Sequence, residues 1–496
     1  VLDGIDTMRA AFWNFEDFSL EAVANELLGR GKLIQPAADK VAEIKRLYRE
    51  SPYELCAYNL EDCRLVREIF DHARLIDFAV QKSVMTGLAL GRLGGSVAAF
   101  DFLYLPRLHR KGFVAPDNLR STNPTASPGG YVMDSKPGLY DNVLLLDFKS
   151  LYPSIIRTFR IDPLGLAQPG TDPVPGFNEA TFARGESILP ELIETLWSER
   201  DRAKRESNGP LSQAIKIIMN SFYGVLGSDG CRFFDPRLAS SITRRGHEII
   251  QTSREVIEEE HDLQVIYGDT DSVFVHLGDS VTRDEAWARG RELANTLNTW
   301  WTARVKDQFG LDSELEIEFE TLFVKFVMPT TRGSEKGSKK RYAGVVEKDG
   351  QPELVFKGLE TVRTDWTPLA RRFQRELYRR VFADEPFEEF VRETVLALDE
   401  GELDDELVYR KRLRRKVDDY TTNVPPHVQA ARKLEKPGRW VSYVITPNGP
   451  DPVELAPASP DYDHYRERQL KPVADGILHF LGTSFDDIAS NQISMF

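Results

Sequence analysis

At 496 residues the chain exceeds what one hydrophobic core supports, so several domains are expected. Hydrophobic residues make up 41% and charged residues 29%, and no stretch approaches the ~18 apolar residues of a membrane span. The three cysteines, Cys56, Cys63 and Cys231, form no CxxC pair, which excludes a disulfide or zinc framework and fits a reducing cytoplasm. The net charge of −14 argues against a nucleic-acid partner, but its distribution does not. Residues 384–406 hold eleven Asp/Glu against one Arg, and residues 409–417 (YRKRLRRKV) hold six Lys/Arg and no acid. Two solvated helix faces are the simplest reading; a basic groove on an acidic protein is the other. The amino end shows no signal-peptide pattern, and a first residue of Val1 rather than Met suggests a fragment or a processed chain.

In chain order, residues 115–140 are rich in Pro, Gly and Ser and read as a boundary loop. Val143-Leu144-Leu145-Leu146 is a short apolar run that predicts a buried strand delivering Asp147 at its end. A helix is expected over 188–206, broken by Ser207-Asn208-Gly209-Pro210. A second, capped by Ser212, runs to about Leu226, and so short a turn makes the two an antiparallel hairpin. Residues 263–277 (LQVIYGDTDSVFVHL) are two β-prone runs around Gly-Asp-Thr-Asp, a hairpin pattern. Residues 311–320 (LDSELEIEFE) alternate acidic and apolar, as a half-buried strand does. From about 364 the pattern is mainly helical, followed by a Pro-rich, irregular stretch at 425–460.

Asp147 at a strand end and Asp269 and Asp271 at a hairpin tip offer carboxylates from separate, rigid backbone segments. Mg²⁺ is typically held by one or two carboxylates together with substrate phosphates, and two-metal phosphoryl transfer needs such convergence. A GDTD turn on its own is more often only a turn, because Asp and Gly suit the backbone there. Lys216, Asn220 and Tyr223 follow i, i+4, i+7 on one face of the second hairpin helix, with Ile215, Ile218, Met219, Phe222 and Leu226 on the apolar side. Arg200 and Lys204 lie one turn apart on the first. Such a face suits a triphosphate and a base edge; an ordinary charged surface is the alternative.

Longer strings narrow the choice. Asp147 to Ile156 (DFKSLYPSII), Lys216 to Gly224 (KIIMNSFYG) and Tyr267 to Ser272 (YGDTDS) resemble motifs A, B and C of family B DNA polymerases, in the family's order. Lys339-Lys340-Arg341-Tyr342 and Lys357 to Asp365 (KGLETVRTD) resemble two primer–template motifs. Stretches such as CRFFDPRLASSITRRG and LVYRKRLRRKV extend the similarity over essentially the whole chain, towards the family's bacterial members.

The resemblance implies an α+β multidomain, right-hand polymerase with a partial RNase H-like exonuclease remnant. Its segments would be a remnant at 1–80, a connector at 81–140, a palm at 141–190 and 241–363, fingers at 191–240, and a thumb with a tail at 364–496. Asp147 and Asp271 would bind two Mg²⁺ ions, with Mn²⁺ as a possible substitute, and Asp269 would be an acidic neighbour. Ser150 and Leu151 amides with Arg200, Lys204 and Lys216 would hold the triphosphate. Tyr152 would lie under the sugar, and Asn220 and Tyr223 would border the nascent base pair. Lys340, Tyr342, Lys357 and Arg363 would meet primer–template DNA.

Tyr58-Asn59-Leu60-Glu61-Asp62 resembles the third exonuclease motif, with Tyr58 and Asp62 carried over. The two earlier acidic motifs are not found before it, so an incomplete nuclease site is expected. Gln492, Ile493, Met495 and Phe496 resemble a sliding-clamp-binding pentapeptide, departing from it at Ile493 and Met495. The expected protein is a cytoplasmic, nucleoid-associated bacterial monomer working with deoxynucleoside triphosphates, in replication restart, repair or lesion-related synthesis. A catalytically dead, DNA-binding family member would show a broken motif A or C, and both are whole. A nuclease would need the missing acidic motifs.

Overall fold

The computed structural model describes all residues except 16, 34–39, 93, 118–127, 332–335, 364, 456–458 and 491–496, with backbone only at 40–42. The chain divides into two compact units: Val1–Gly129 with Ser150–Glu248 and Trp301–Glu316, and Gly130–Lys149 with Ile249–Trp300 and Ile317–Phe496. Among the described residues no helix is long and apolar enough to cross a membrane.

The first unit is mainly helical. Its amino-terminal part is built from helices such as Pro52–His72, Leu75–Thr86 and Ser96–Arg110. The expected hairpin forms as Leu189–Arg205 and Gly209–Leu226, but its cap differs from expectation. Asn208, not Ser212, caps the second helix by accepting from the Leu211 N–H at 3.3 Å. Pro210 explains the earlier start, because its fixed φ suits a first turn whose N–H groups need no helical partner. The apolar side of this helix is buried as the periodicity predicts, and Phe222 meets Phe100 edge-on at 5.5 Å. Phe233 continues that cluster over Tyr104, with ring centroids 4.8 Å apart.

The second unit is organised by a six-stranded antiparallel sheet. Across it lie Gln264–Asp269, Ser272–His276, Gly138–Phe148, Ile317–Met328, Tyr342–Lys348 and Gln351–Lys357. Val143, Leu144 and Leu146 of the strand that leads to Asp147 are fully buried, and each such side chain contributes about 1.5–3 kcal/mol on leaving water. The Pro- and Gly-rich segment before that strand is more than a connector. Residues 131–136 run beside the hairpin, with Met133 N–H on Gly268 C=O at 2.9 Å and Lys136 N–H on Ile266 C=O at 2.8 Å.

Two expectations are corrected. The alternating segment 311–320 becomes a strand only at Ile317 and continues to Met328. Asn298 marks that start, donating to Ile317 C=O at 2.9 Å and accepting from Ile317 N–H at 2.8 Å. The stretch 425–460 is not irregular: Trp440–Thr446 and Gly449–Pro452 pair, and Tyr409–Arg412 adds a third strand. Val441 and Tyr443 fall on the buried side, and Pro447-Asn448 forms the turn between Thr446 and Gly449. The basic run is therefore partly strand, not a helix face. Around this sheet the helices Pro368–Phe382 and Lys471–Leu478 bury Phe373, Leu377, Val473 and Ile477.

Candidate active site

In the second unit, the strand Gly138–Phe148 places Asp147 opposite Ser272 on one side and Glu318 on the other. The Phe148 N–H donates to the Asp271 carbonyl at 2.8 Å. Asp271, which immediately precedes the strand Ser272–His276, therefore lies one position out of register with Asp147. Asp269 pairs with Ser272 across the hairpin, leaving Thr270 and Asp271 at the tip. Thr270 sits at φ +61, an unusual conformation for a β-branched residue that costs of order 1–3 kcal/mol. The Thr270 N–H is held by the Tyr131 carbonyl at 2.7 Å.

One acidic neighbour was not singled out from the sequence. The pairing of Gly138–Phe148 with Ile317–Met328 slips between Leu145 and Leu146: Leu145 faces Thr321 and Leu146 faces Phe319, so Glu320 is the extra residue of a β-bulge. Burial pushes the Asp271 carboxyl above its usual range, and the charges of Asp269 and Glu320 push it the same way against Lys340. The donors are hard carboxylate oxygens, the chemistry of Mg²⁺ and Mn²⁺. Among the described residues no group of three or more His, Cys, Asp or Glu forms an ion cage. A pair of carboxylates suits a cation whose remaining positions are water and phosphate.

Lys340 lies beside this pair. Its ammonium is 3.0 Å from Asp269 Oδ1, and its N–H donates to the Tyr267 hydroxyl at 2.9 Å. Tyr342 faces Lys357 across two strands, and its ring packs on Phe274 at 5.1 Å and Phe326 at 5.3 Å. Burial raises its hydroxyl pKa. Lys357 is exposed, whereas Arg363 is clamped by Asp365 at 3.0 and 2.9 Å. Arg341, between the two DNA-contact candidates, pairs with buried Glu360, which also accepts from Gln374 Nε2 at 2.9 Å. Nothing local in the sequence marks Glu360 as buried.

In the first unit, Ser150 takes a left-handed conformation, φ +48, directly before the helix Leu151–Thr158. The Tyr152 ring lies 4.7 Å from that of Tyr223. Lys204, Lys216 and Asn220 are exposed, and Tyr223 is half-buried. Arg200 is half-buried, and its Nε has no hydrogen-bond partner among the described residues. Burial lowers its pKa.

Tyr58 and Asp62 share the helix Pro52–His72. Lys32 Nζ lies 2.8 Å from Asp62 Oδ2 and 3.4 Å from the Tyr58 hydroxyl. A lysine therefore sits at this carboxylate, a residue for which the sequence offered no signal. Gln492, Ile493, Met495 and Phe496 lie outside the described residues.

The sequence profile of DNA polymerase family B matches residues 94–446. The chain is 53% identical, over its full length and 65% of the relative, to "DNA polymerase II" of Escherichia coli (strain K12). It is 26% identical to "DNA polymerase" of Thermococcus gorgonarius over 96% of this chain and 63% of that one. With "DNA polymerase delta catalytic subunit" of Glycine max the identity is 27%, over 86% of this chain and 41% of the relative. The chain thus spans no more than about two thirds of these curated relatives. With motifs A, B and C whole and the profile covering most of its length, the chain belongs to DNA polymerase family B.

Proposed function

We propose that this chain is a DNA-directed DNA polymerase that adds deoxynucleotides to a primer 3′-hydroxyl. The observation that carries the reading is that Asp147, near the end of one strand, pairs with Ser272, and Asp271 directly precedes that residue at the hairpin tip, each aspartate within an intact motif. In the reaction the primer O3′ forms a bond to the α-phosphorus, and the bond to the bridging oxygen breaks to release pyrophosphate. There is little covalent chemistry for the protein to perform, so its work is positioning and charge neutralisation. Asp147 and Asp271 would hold two divalent cations, Mg²⁺ or in its place Mn²⁺. Bound there, these would supply Lewis-acid stabilisation of the charge on the reacting oxygens.

The remaining roles follow from side-chain chemistry. Arg200, whose Nε has no partner among the described residues, would together with Lys204 and Lys216 supply cations for the triphosphate. Ser150 and Leu151 offer amides at a helix start, where anions bind well. Tyr152 would support the sugar and exclude a 2′-hydroxyl, its ring backed by Tyr223. Asn220 and Tyr223 would border the base pair. Lys340, Tyr342, Lys357 and Arg363 would grip primer–template DNA, with Lys340 also moderating the charge of Asp269.

The right-hand division stands as part of the same proposal: palm at 141–190 and 241–363, fingers at 191–240, thumb at 364–496. Residues 1–80 would be an exonuclease remnant, joined by 81–140, with Lys32 paired to the residual Asp62. Residues 492–496 would dock on a sliding clamp. The setting would be the bacterial cytoplasm and nucleoid, in replication restart, repair or lesion-related synthesis, as a monomer. Primer extension with Mg²⁺ tests the central reading. Asp147→Asn and Asp271→Asn should each lose several orders of magnitude in rate with DNA binding retained. Wild-type-like extension by either variant would sink it.

A further inference from the structure

The carboxy-terminal sheet presents a second surface that the polymerase reading does not use. Its strands run in the order Gly449–Pro452, Trp440–Thr446, Tyr409–Arg412, so the last is an edge. Register fixes which side chains share a face. Tyr409 lies opposite Tyr443, the two rings stack at 5.2 Å, and Val441, opposite Lys411 on the same face, is fully buried. The other face therefore carries Arg410, Arg412, Trp440 and Ser442, with Arg412 directly opposite Trp440 and Arg410 opposite Ser442.

Trp440 is 49% exposed, and the Arg410 guanidinium carbon lies 5.1 Å from its ring centre. Lys411, on the buried side, reaches Asp365 at 3.8 Å. Arg410, Arg412, Arg414, Arg415 and Lys416 form no ion pair among the described residues. That is unusual in a chain of net charge −14, where carboxylates are plentiful. Edge strands often carry charge to prevent strand pairing, but that role does not call for an exposed indole beside the arginines.

A half-exposed aromatic ring with one arginine over it and a second opposite it in register matches a ligand with a negative backbone and a free π-face. A duplex offers the phosphates but stacks its base faces out of reach; an unpaired strand offers both. We propose that this face is a stacking platform for single-stranded DNA, with Trp440 taking one unpaired base and Arg410 and Arg412 the neighbouring phosphates. The proposal rests on the reading that this chain handles DNA, yet it does not depend on catalysis.

Fluorescence anisotropy on the full chain, with labelled oligo-dT and a blunt duplex of equal length, tests it. Trp440→Ala should weaken oligo-dT binding by about tenfold, from the usual worth of one base–aromatic stack, and leave duplex binding within about twofold of wild type. Trp440→Phe should retain most of the oligo-dT affinity. Arg410→Gln/Arg412→Gln should lower the salt slope for oligo-dT by about 1.4, the loss of two single-strand phosphate contacts. Equal weakening of both ligands by Trp440→Ala, or of neither, overturns the platform, as does an unchanged salt slope in the double variant. Wild-type chain that binds oligo-dT through Trp440 but extends no primer would refute the polymerase reading and leave the platform standing.

Discussion

Asp162 offers the sharpest test of how the first unit holds its helices. Its side chain is fully buried and accepts from the Tyr104 hydroxyl at 3.0 Å, the Gly165 N–H at 3.0 Å and the Leu189 N–H at 2.8 Å. It thereby ties the helix Ser96–Arg110 to the first residue of Leu189–Arg205, which carries Arg200 and Lys204. Asp162→Ala strands three donors in a dry site. At about 1–3 kcal/mol for each unsatisfied group, the gross loss is about 3–9 kcal/mol. Burial also holds the Asp162 carboxyl above its usual range, so removing that charge relieves part of the loss. A net destabilisation of about 3 kcal/mol is expected, and at ~2 °C per kcal/mol for a unit of this size the first thermal transition should fall by ~6 °C.

Asp162→Asn keeps an acceptor oxygen and should lose less. The pH dependence has a definite sign. An acid whose folded pKa is raised contributes stability that is full below its unfolded value and is lost as pH rises through the folded value. The advantage of wild type over Asp162→Asn should therefore narrow as pH rises above the ordinary aspartate range. Differential scanning calorimetry of both variants across pH measures these quantities. An alanine variant melting within about 1 °C of wild type, a change smaller than ~1 kcal/mol, would refute the assignment of Asp162 as a tie.

Tyr152→Ala removes the ring backed by Tyr223, and steric discrimination by a pocket of this kind is worth about tenfold or more. Competitive incorporation assays should show the deoxy-to-ribonucleotide preference falling by that amount; an unchanged ratio places the gate elsewhere. Lys340→Ala should reduce the salt slope of primer–template binding by about one, the loss of a single cation contact, and binding titrations at several salt concentrations read it directly. Deleting residues 492–496 should leave synthesis on short primers intact and abolish stimulation by a sliding clamp on long templates. Phe496 alone, if buried, would contribute ~1.5–3 kcal/mol, which is about ten- to hundredfold in affinity.

Local patterns made the elements around the carboxylates readable. Val143 to Leu146 could only be a buried segment, and Gly-Asp-Thr-Asp between β-prone runs could hardly be anything but a hairpin tip. The apolar face of Gly209–Leu226 was legible because helical periodicity is a property of the segment itself. Features that depend on a distant partner were not. The bulge at Glu320 exists only in its pairing with Leu145 and Leu146, so strict alternation hid it. Lys32 reaches Asp62 from thirty residues earlier in the chain without any motif of its own. The three-stranded sheet was obscured by surrounding prolines, although Pro447-Asn448 followed by Gly449 after a β-prone run was a turn signal in plain view.

The strings at 339–342 and 357–365 also acquire a physical reason for their composition. Lys340 adopts φ +61, which turns its N–H to the Tyr267 hydroxyl at 2.9 Å while its ammonium meets Asp269 at 3.0 Å. The chain can pass beside it only because residue 358 is glycine. A Cβ there would stand 2.1 Å from the Lys340 carbonyl oxygen, and its φ of +62 disfavours other residues. The strings at 339–342 and 357–365 are therefore two sides of one packing contact, and the hydroxyl and carboxylate it engages belong to the hairpin at 267–272. Substituting Gly358 would displace Lys340 and so alter the charge beside Asp269 without touching an acidic residue. Three separated motifs are thus a single electrostatic assembly, in which the glycine sets the position of the cation and the cation offsets part of the repulsion among the carboxylates.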